Sequence, residues 1–142
     1  ASQISEADDL FFIIPGAAAR SERRPNQLLL PHHSEFYHPD LLHASDAVVG
    51  KPGYSTLSEA YAAGIPFIYL PRAHFPEYPL LARFIERHIG GFAISTADYE
   101  LGTWIDRLRE LLNARLRQPK PAGGASQVAD FMLQVLRCSP AA

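Results

Sequence analysis

Compact apolar runs alternate along the chain with segments whose apolar residues recur every three to four positions. The compact runs have the composition of strands buried in a sheet and cover residues 9–16, 27–30, 46–49, 65–70 and 92–95. The periodic segments predict helices with one buried face and cover residues 38–44, 57–64, 79–88, 103–116 and 126–136. Strands that alternate with helices favour a parallel sheet, so the pattern predicts an α/β fold with a Rossmann-like, doubly wound parallel sheet.

Two segments interrupt this alternation. The stretch 17–25 is polar and contains Arg20, Arg23 and Arg24, which predicts a helix end or an exposed loop. The stretch 119–124 is rich in proline and glycine and predicts a linker before the last helix. The chain as a whole, residues 1–142, has the size of one ordinary domain with its own core.

Composition narrows the classes of function. The net charge is −2 and the basic residues are scattered, which argues against a nucleic-acid-binding surface. The lone Cys138 leaves no internal disulfide and, with no secretory signal pattern at the start, predicts a cytoplasmic protein. No apolar run approaches the length that a transmembrane segment needs.

Most of the candidate functional residues lie in residues 46–71, DAVVGKPGYSTLSEAYAAGIPFIYLP. A buried strand leads into a turn between Gly50 and Gly53, a helix follows and ends at Gly64, and a second buried strand returns. Such a βαβ unit directs free backbone N–H groups and the positive end of a helix dipole towards the turn. The sequence therefore predicts an anion-binding site at this turn, with the phosphates of a nucleotide as the candidate ligand.

Several side chains around the turn have two interpretations. Thr56 and Glu59 have the spacing of a capping box, in which Glu59 would only stabilise the start of the helix. Lys51 is either a phosphate contact or a solvated loop charge, and Tyr54 either stacks on a ligand or lies at the edge of the core. Gly53 is assigned a positional role, because a turn whose backbone approaches a ligand excludes a β-carbon.

The order of these residues resembles the C-terminal, donor-binding half of GT-B glycosyltransferases, in the family 28 branch that includes the peptidoglycan N-acetylglucosaminyltransferase. The shared order is a basic residue, a glycine turn, a Ser/Thr-rich helix start, an acidic residue and a Gly-hydrophobic-Pro exit, here Lys51, Gly53, Ser55, Thr56, Glu59, Gly64 and Pro66. The resemblance implies one half of a GT-B fold. It also implies that Gly53, Tyr54, Ser55 and Thr56 hold the diphosphate of a nucleotide sugar and that Glu59 binds the ribose hydroxyls.

A second resemblance covers residues 36 to about 91 and is to the glycosyltransferase-like region that precedes the kinase domain in plant arabinokinases. The shared features are a Tyr/His-Pro-Asp segment, an Ala-Ser-Asp segment, a Gly-Lys-x-Gly-Tyr turn and a later Glu-x-Pro-x-Leu segment. Both resemblances imply a domain of a longer protein, so residues 1–142 are expected to be a fragment of a two-domain chain.

The loop after the second strand carries further candidates. In the GT-B resemblance, a histidine beside the donor phosphates falls on His74, and a motif that grips the sugar hydroxyls begins at Glu77. The acidic residue of that motif is kept, but Tyr78 stands where glutamine is usual and Leu81 where asparagine is usual. Sites that hydrogen-bond a sugar discriminate strongly through such polar groups, so these replacements predict altered donor selection.

The six histidines do not predict a metal site. His32 and His33 are adjacent and would face opposite sides of a strand, while His38 and His43 miss the four-residue helical repeat. The expected chemistry needs neither a metal nor another cofactor, since a helix start and backbone N–H groups would neutralise part of the diphosphate charge.

GT-B enzymes form the active site between two domains, and this chain has the size of one. The catalytic residues and the acceptor site are therefore expected in a missing N-terminal half, and the isolated chain is expected to be inactive. Where that half would sit, we expect an exposed patch including Phe36, Tyr37, Phe75 and Tyr78, which could support a homodimer. The leading hypothesis is a glycosyltransferase that transfers a hexosyl group from a UDP-sugar. The alternatives are a non-catalytic nucleotide-sugar-binding regulatory module attached to a sugar kinase, and a purely structural module.

Overall fold

The computed structural model describes residues 2–114 and 124–138 of the chain. The strands in these ranges are β1 (Phe12–Pro15), β2 (Glu22–Arg24), β3 (Gln27–Leu30), β4 (Val48–Gly50) and β5 (Phe67–Tyr69). The helices are α1 (Ser2–Glu6), α2 (His38–His43), α3 (Tyr54–Ala63), α4 (Tyr78–Phe84), α5 (Thr96–Leu101), α6 (Trp104–Asn113) and α7 (Gly124–Cys138). Helix α4 continues into a π-helical turn, Ile85–Ile89.

The strands form two sheets instead of the single sheet that the sequence predicts. In the first sheet, β1 is parallel to β3, and β3 is antiparallel to β2. In the second sheet, β4 is parallel to β5, with Val48 opposite Phe67 and Gly50 opposite Tyr69. The prediction of an α/β fold with parallel strands is thus confirmed, and the architecture is compatible with a Rossmann-like fold, but the sheet is divided.

Strand β2 lies where the sequence predicts a helix end or an exposed loop, and that prediction is wrong for these three residues. All three are exposed, and they pair with β3, where Glu22 lies opposite Leu29. An exposed edge strand of charged residues carries no apolar alternation, so periodicity does not reveal it. Its arginines are nevertheless solvated, as the polar composition indicates.

The strand predicted over residues 92–95 is reduced to a single bridge between Tyr69 and Ala93. The backbone there still follows β5, because the Phe67 N–H donates to the Gly90 carbonyl at 3.0 Å and the Tyr69 N–H to the Phe92 carbonyl at 3.0 Å. Gly91 approaches the Phe67 carbonyl so closely that a β-carbon would overlap it. Glycine is therefore required at position 91 by packing.

The helix predicted over residues 103–116 is confirmed as α6, whose described part ends at Asn113, and residues 115 and 116 lie outside the described ranges. A short additional helix, α5, precedes it and was not predicted. Ser95 caps α5, since its Oγ accepts the Asp98 N–H at 3.0 Å. Gly102 ends α5 in the left-handed conformation, with φ at 75°. The Ser95-x-x-Asp98 spacing was the sequence signal for this extra helix, and helical periodicity alone missed it.

Two apolar clusters cover the two faces of the β4–β5 sheet, as a parallel sheet requires. Phe67 and Tyr69 point to the cluster formed with α2, α3 and α4, and Ile68 points to the cluster formed with α6.

Helix α7 confirms the helix predicted over residues 126–136, but its apolar side chains are exposed, among them Val128, Phe131, Met132 and Val135. The linker predicted over residues 119–124 falls almost wholly outside the described residues. In the ranges that the structure covers, no helix combines the length and apolarity needed to cross a membrane.

Candidate functional site

The candidate site begins where β4 ends. Lys51 follows the strand and is exposed, Pro52 is buried, and Gly53 is the N-cap of α3 in an extended conformation, with φ −141° and ψ 153°. No side chain caps this helix, and its Leu57 N–H donates to the Gly53 carbonyl at 2.9 Å. The N–H groups of the first turn have no partner within the helix, and they carry the positive end of its dipole. The predicted end at Gly64 is confirmed, with φ at 68°.

The capping-box interpretation of Thr56 and Glu59 is wrong. Helix α3 begins at Tyr54, so Thr56 lies inside the first turn and is not the cap. The Glu59 side chain does not return to the start of the helix. Its Oε2 lies 2.7 Å from Nδ1 of His38, the first residue of α2.

His38 is a site residue that the sequence pattern did not reveal. It lies 21 positions before Glu59, and the two side chains meet because α2 packs beside α3. The contact is partly solvated, with 50% of the His38 side chain and 27% of the Glu59 side chain exposed. The only sequence signal was the His38-Pro39-Asp40 segment, which is part of the resemblance to arabinokinases and was assigned no role in the site.

A cavity of about 750 Å³ opens beside the glycine turn. Lys51, Thr56 and His38 line it at the carboxyl end of β4, together with residues of β1, β4 and α6. In parallel sheets, ligands bind beyond the carboxyl ends of the strands. The structure therefore brings Lys51 and Thr56 into one concave space, with the His38–Glu59 pair at its side.

The loop after β5 lies at the same sheet edge, because β4 and β5 are parallel neighbours. His74 and Glu77 are exposed on this loop, and Glu77 precedes α4 as its N-cap. Neither side chain lines the cavity that holds Lys51 and Thr56. The predicted site residues thus fall into two groups along one edge, one on the β4–α3 turn and one on the β5–α4 loop.

Tyr78 and Leu81 lie on the core side of α4. The Tyr78 ring is half-buried, 6.2 Å from the ring of Tyr69, whose hydroxyl donates to Glu86 Oε1 at 2.6 Å. Burial and the Glu86 carboxylate raise the pKa of the Tyr69 hydroxyl. Tyr69 therefore stays uncharged and keeps its hydrogen bond to Glu86. Leu81 is 2% exposed and belongs to the core. A side chain at position 81 therefore faces the core in this fold and does not contact a sugar at the surface.

The aromatic side chains near the site differ in exposure. Phe36, Tyr37 and Tyr54 are exposed, so Tyr54 does not pack at the edge of the core. Phe75 and Tyr78 pack half-buried against the core, which corrects the expectation that they belong to an exposed patch.

Within residues 2–114 and 124–138, nothing gives Gly53 a steric reason to be glycine. A β-carbon at this position would meet no atom within 4 Å, and the extended backbone is open to any residue. A requirement for glycine would therefore come from a group outside the described residues, such as a ligand. Among residues 2–114 and 124–138, no three His, Cys, Asp or Glu side chains are grouped so that they could hold a metal ion.

The chain is 32% identical over 124 residues to L-arabinokinase of Arabidopsis thaliana, which covers 86% of this chain and 12% of that protein. The chain and L-arabinokinase are distantly related. No protein-family model and no solved structure matches the chain. The chain spans 12% of the length of this relative, so the resemblance to arabinokinases is supported for one region only.

Proposed function

We propose that this chain is the nucleotide-sugar-binding domain of a GT-B-like glycosyltransferase of the family 28 type, with a UDP-sugar as its ligand. The observation that carries the proposal is the start of α3, which has no side-chain cap and follows Lys51 and a glycine turn at the carboxyl end of β4. Backbone N–H groups, a helix dipole and a lysine at one point favour a diphosphate.

Glu59 fits the ribose contact in this scheme. It lies on α3 after the turn, is partly exposed, and places only its Oε2 against His38. With Nδ1 of His38 donating, the imidazole orients the carboxylate and leaves Oε1 for a ribose hydroxyl. His74 and Glu77, on the neighbouring loop, are then available to the donor phosphates and the sugar.

The chemistry that follows is stabilisation of a leaving group. As the bond between the sugar and the diphosphate breaks, negative charge grows on the diphosphate, and the α3 start and Lys51 neutralise it. The general base and the acceptor site belong to other parts of the full-length protein in this proposal. The 142-residue chain alone then binds the donor and does not turn it over.

A second candidate is a non-catalytic nucleotide-sugar-binding module attached to a sugar kinase. It is favoured by the distant relation to L-arabinokinase and by the buried Leu81, which leaves the sugar-gripping motif incomplete. The full-length polypeptide distinguishes the two candidates. Transfer of a sugar from a nucleotide donor would support the transferase, and binding without transfer or donor hydrolysis would support the module.

Nucleotide binding by the purified chain is the direct test. We expect UDP to bind more tightly than ADP or GDP, with a Kd between about 1 µM and 1 mM, because one domain offers only part of a cleft. Isothermal titration calorimetry measures all three nucleotides, and uridine without phosphates is the control for the diphosphate contribution. Absence of heat with every nucleotide at high protein concentration would reject the donor site and leave a structural module.

A further inference from the structure

Among the residues that the structure describes, β1 and β4 each pair on one side only, and both line the same cavity. Residues 11–15, which contain β1, and residues 46–51, which contain β4, line this space of about 750 Å³. β1 is paired on its other side with β3, and β4 on its other side with β5. The division of the expected single sheet thus falls between β1 and β4.

Backbone directions show which groups are unpaired. The Phe12 N–H donates to the Asn26 carbonyl at 2.9 Å and the Val48 N–H to the Pro66 carbonyl at 3.0 Å, both within their own sheets. Successive residues of a strand direct their N–H and C=O groups to opposite edges. Ile13 and Val49 therefore direct their backbone N–H and C=O groups towards the cavity. Both residues are half-buried, and two strand edges with unpaired backbone groups along one cavity match the hydrogen-bonding pattern of an inserted strand.

The walls of the cavity have the chemistry of a sheet interior. Val48 packs against the cluster on one face of the β4–β5 sheet, while Ala47 and Val49 pack against the cluster on the other face. Phe12 adds to that second cluster with an edge-on contact to Trp104. A strand with apolar side chains on both faces would continue both clusters.

We propose that a further β-strand of the full-length polypeptide, from outside these 142 residues, inserts between β1 and β4 and joins the two sheets into one. Pairing on both edges makes this occupant part of the fold and not a transient ligand. The matched region is 12% of L-arabinokinase, so the relative carries ample polypeptide to supply a strand.

The inserted strand also completes the candidate site. If it runs parallel to β4, its carboxyl end lies at the same sheet edge as Lys51 and Thr56, which line the same cavity. The residues that follow it then form a further wall of that site. The insertion itself depends only on the strand edges and stands whether or not a nucleotide binds.

Amide hydrogen exchange in the 142-residue chain and in the full-length polypeptide tests the insertion. We expect the Ile13 and Val49 amides to exchange at least about a hundredfold more slowly in the full-length polypeptide, while the Phe12 and Val48 amides change little. Equal exchange of Ile13 and Val49 in both polypeptides would overturn the proposal. So would a gene product limited to these 142 residues, or protection that rises with concentration of the short chain, which would identify a second copy as the occupant.

Adjacent valines provide a matched pair of variants. Val49→Pro removes an N–H that faces the cavity, so the 142-residue chain should tolerate it better than Val48→Pro, whose N–H bonds to Pro66. In the full-length polypeptide, Val49→Pro should lower the melting temperature as much as Val48→Pro does. A Val49→Pro variant that destabilises both polypeptides equally would contradict the insertion, and the exchange experiment needs no variant at all.

Discussion

Replacing Gly53 by serine is expected to abolish measurable UDP binding while leaving the stability of the domain unchanged. Serine is at least as good as glycine at a helix N-cap, and no atom in the part of the chain that the structure describes lies within 4 Å of the new β-carbon. A diphosphate held by the turn would meet both the added side chain and a hydroxyl that competes for the same N–H groups. The loss of two hydrogen bonds to a charged group makes the binding free energy less favourable by at least about 3 kcal/mol. The affinity for UDP then falls by more than about a hundredfold.

Calorimetry with UDP and thermal unfolding check this variant together. The matched control is Gly124→Ser at the start of α7, where a β-carbon also meets no atom within 4 Å. The control should retain both affinity and stability. UDP binding by Gly53→Ser as tight as that of the parent would place any nucleotide away from the α3 turn, and the proposed function would fail at its central contact.

Glu59→Gln is expected to weaken UDP binding about tenfold or more. The change removes the charge and one acceptor oxygen, and a hydrogen bond to a charged group contributes about 1.5–3 kcal/mol. The stability of the domain should change by less than about 1 kcal/mol, since the contact with His38 is partly solvated. Titration of the variant with UDP, alongside thermal unfolding, measures both quantities.

His38→Ala is the matched control for this variant, because it removes the contact between His38 and Glu59 and leaves the Glu59 carboxylate in place. Its affinity loss should be smaller than that of Glu59→Gln if the carboxylate binds ribose. Equal losses of stability in both variants, with UDP affinity unchanged in both, would mean that Glu59 only holds α3 against α2 and does not bind the nucleotide.

Much of the fold was predictable because local patterns carry it. The alternation of apolar runs and periodic segments predicts β3, α3 and α7 close to their observed bounds, and Gly64 marks the end of α3. Elements without such a pattern were missed. β2 is charged and exposed, and α5 is short and depends on its Ser95 cap, so apolar periodicity could not reveal either.

The candidate site was predictable in one part only. The glycine turn and the start of α3 follow from consecutive residues, so Lys51, Gly53 and Thr56 were placed at the end of a strand by sequence alone. The role of Glu59 was not decided in this way. A capping box and a contact with His38 are both compatible with its sequence position, and the packing of α2 beside α3 selects the contact.

The sequence by itself determined the α/β class, the parallel pairing of strands joined by helices, and the turn that exposes backbone N–H groups, because each depends on neighbouring residues and helical or strand periodicity. Only the tertiary structure decided that the sheet is divided between β1 and β4, that Leu81 is buried, and that His38 reaches Glu59. These features join residues far apart in the chain. Their geometry is set by how whole elements pack, and no local pattern encodes it.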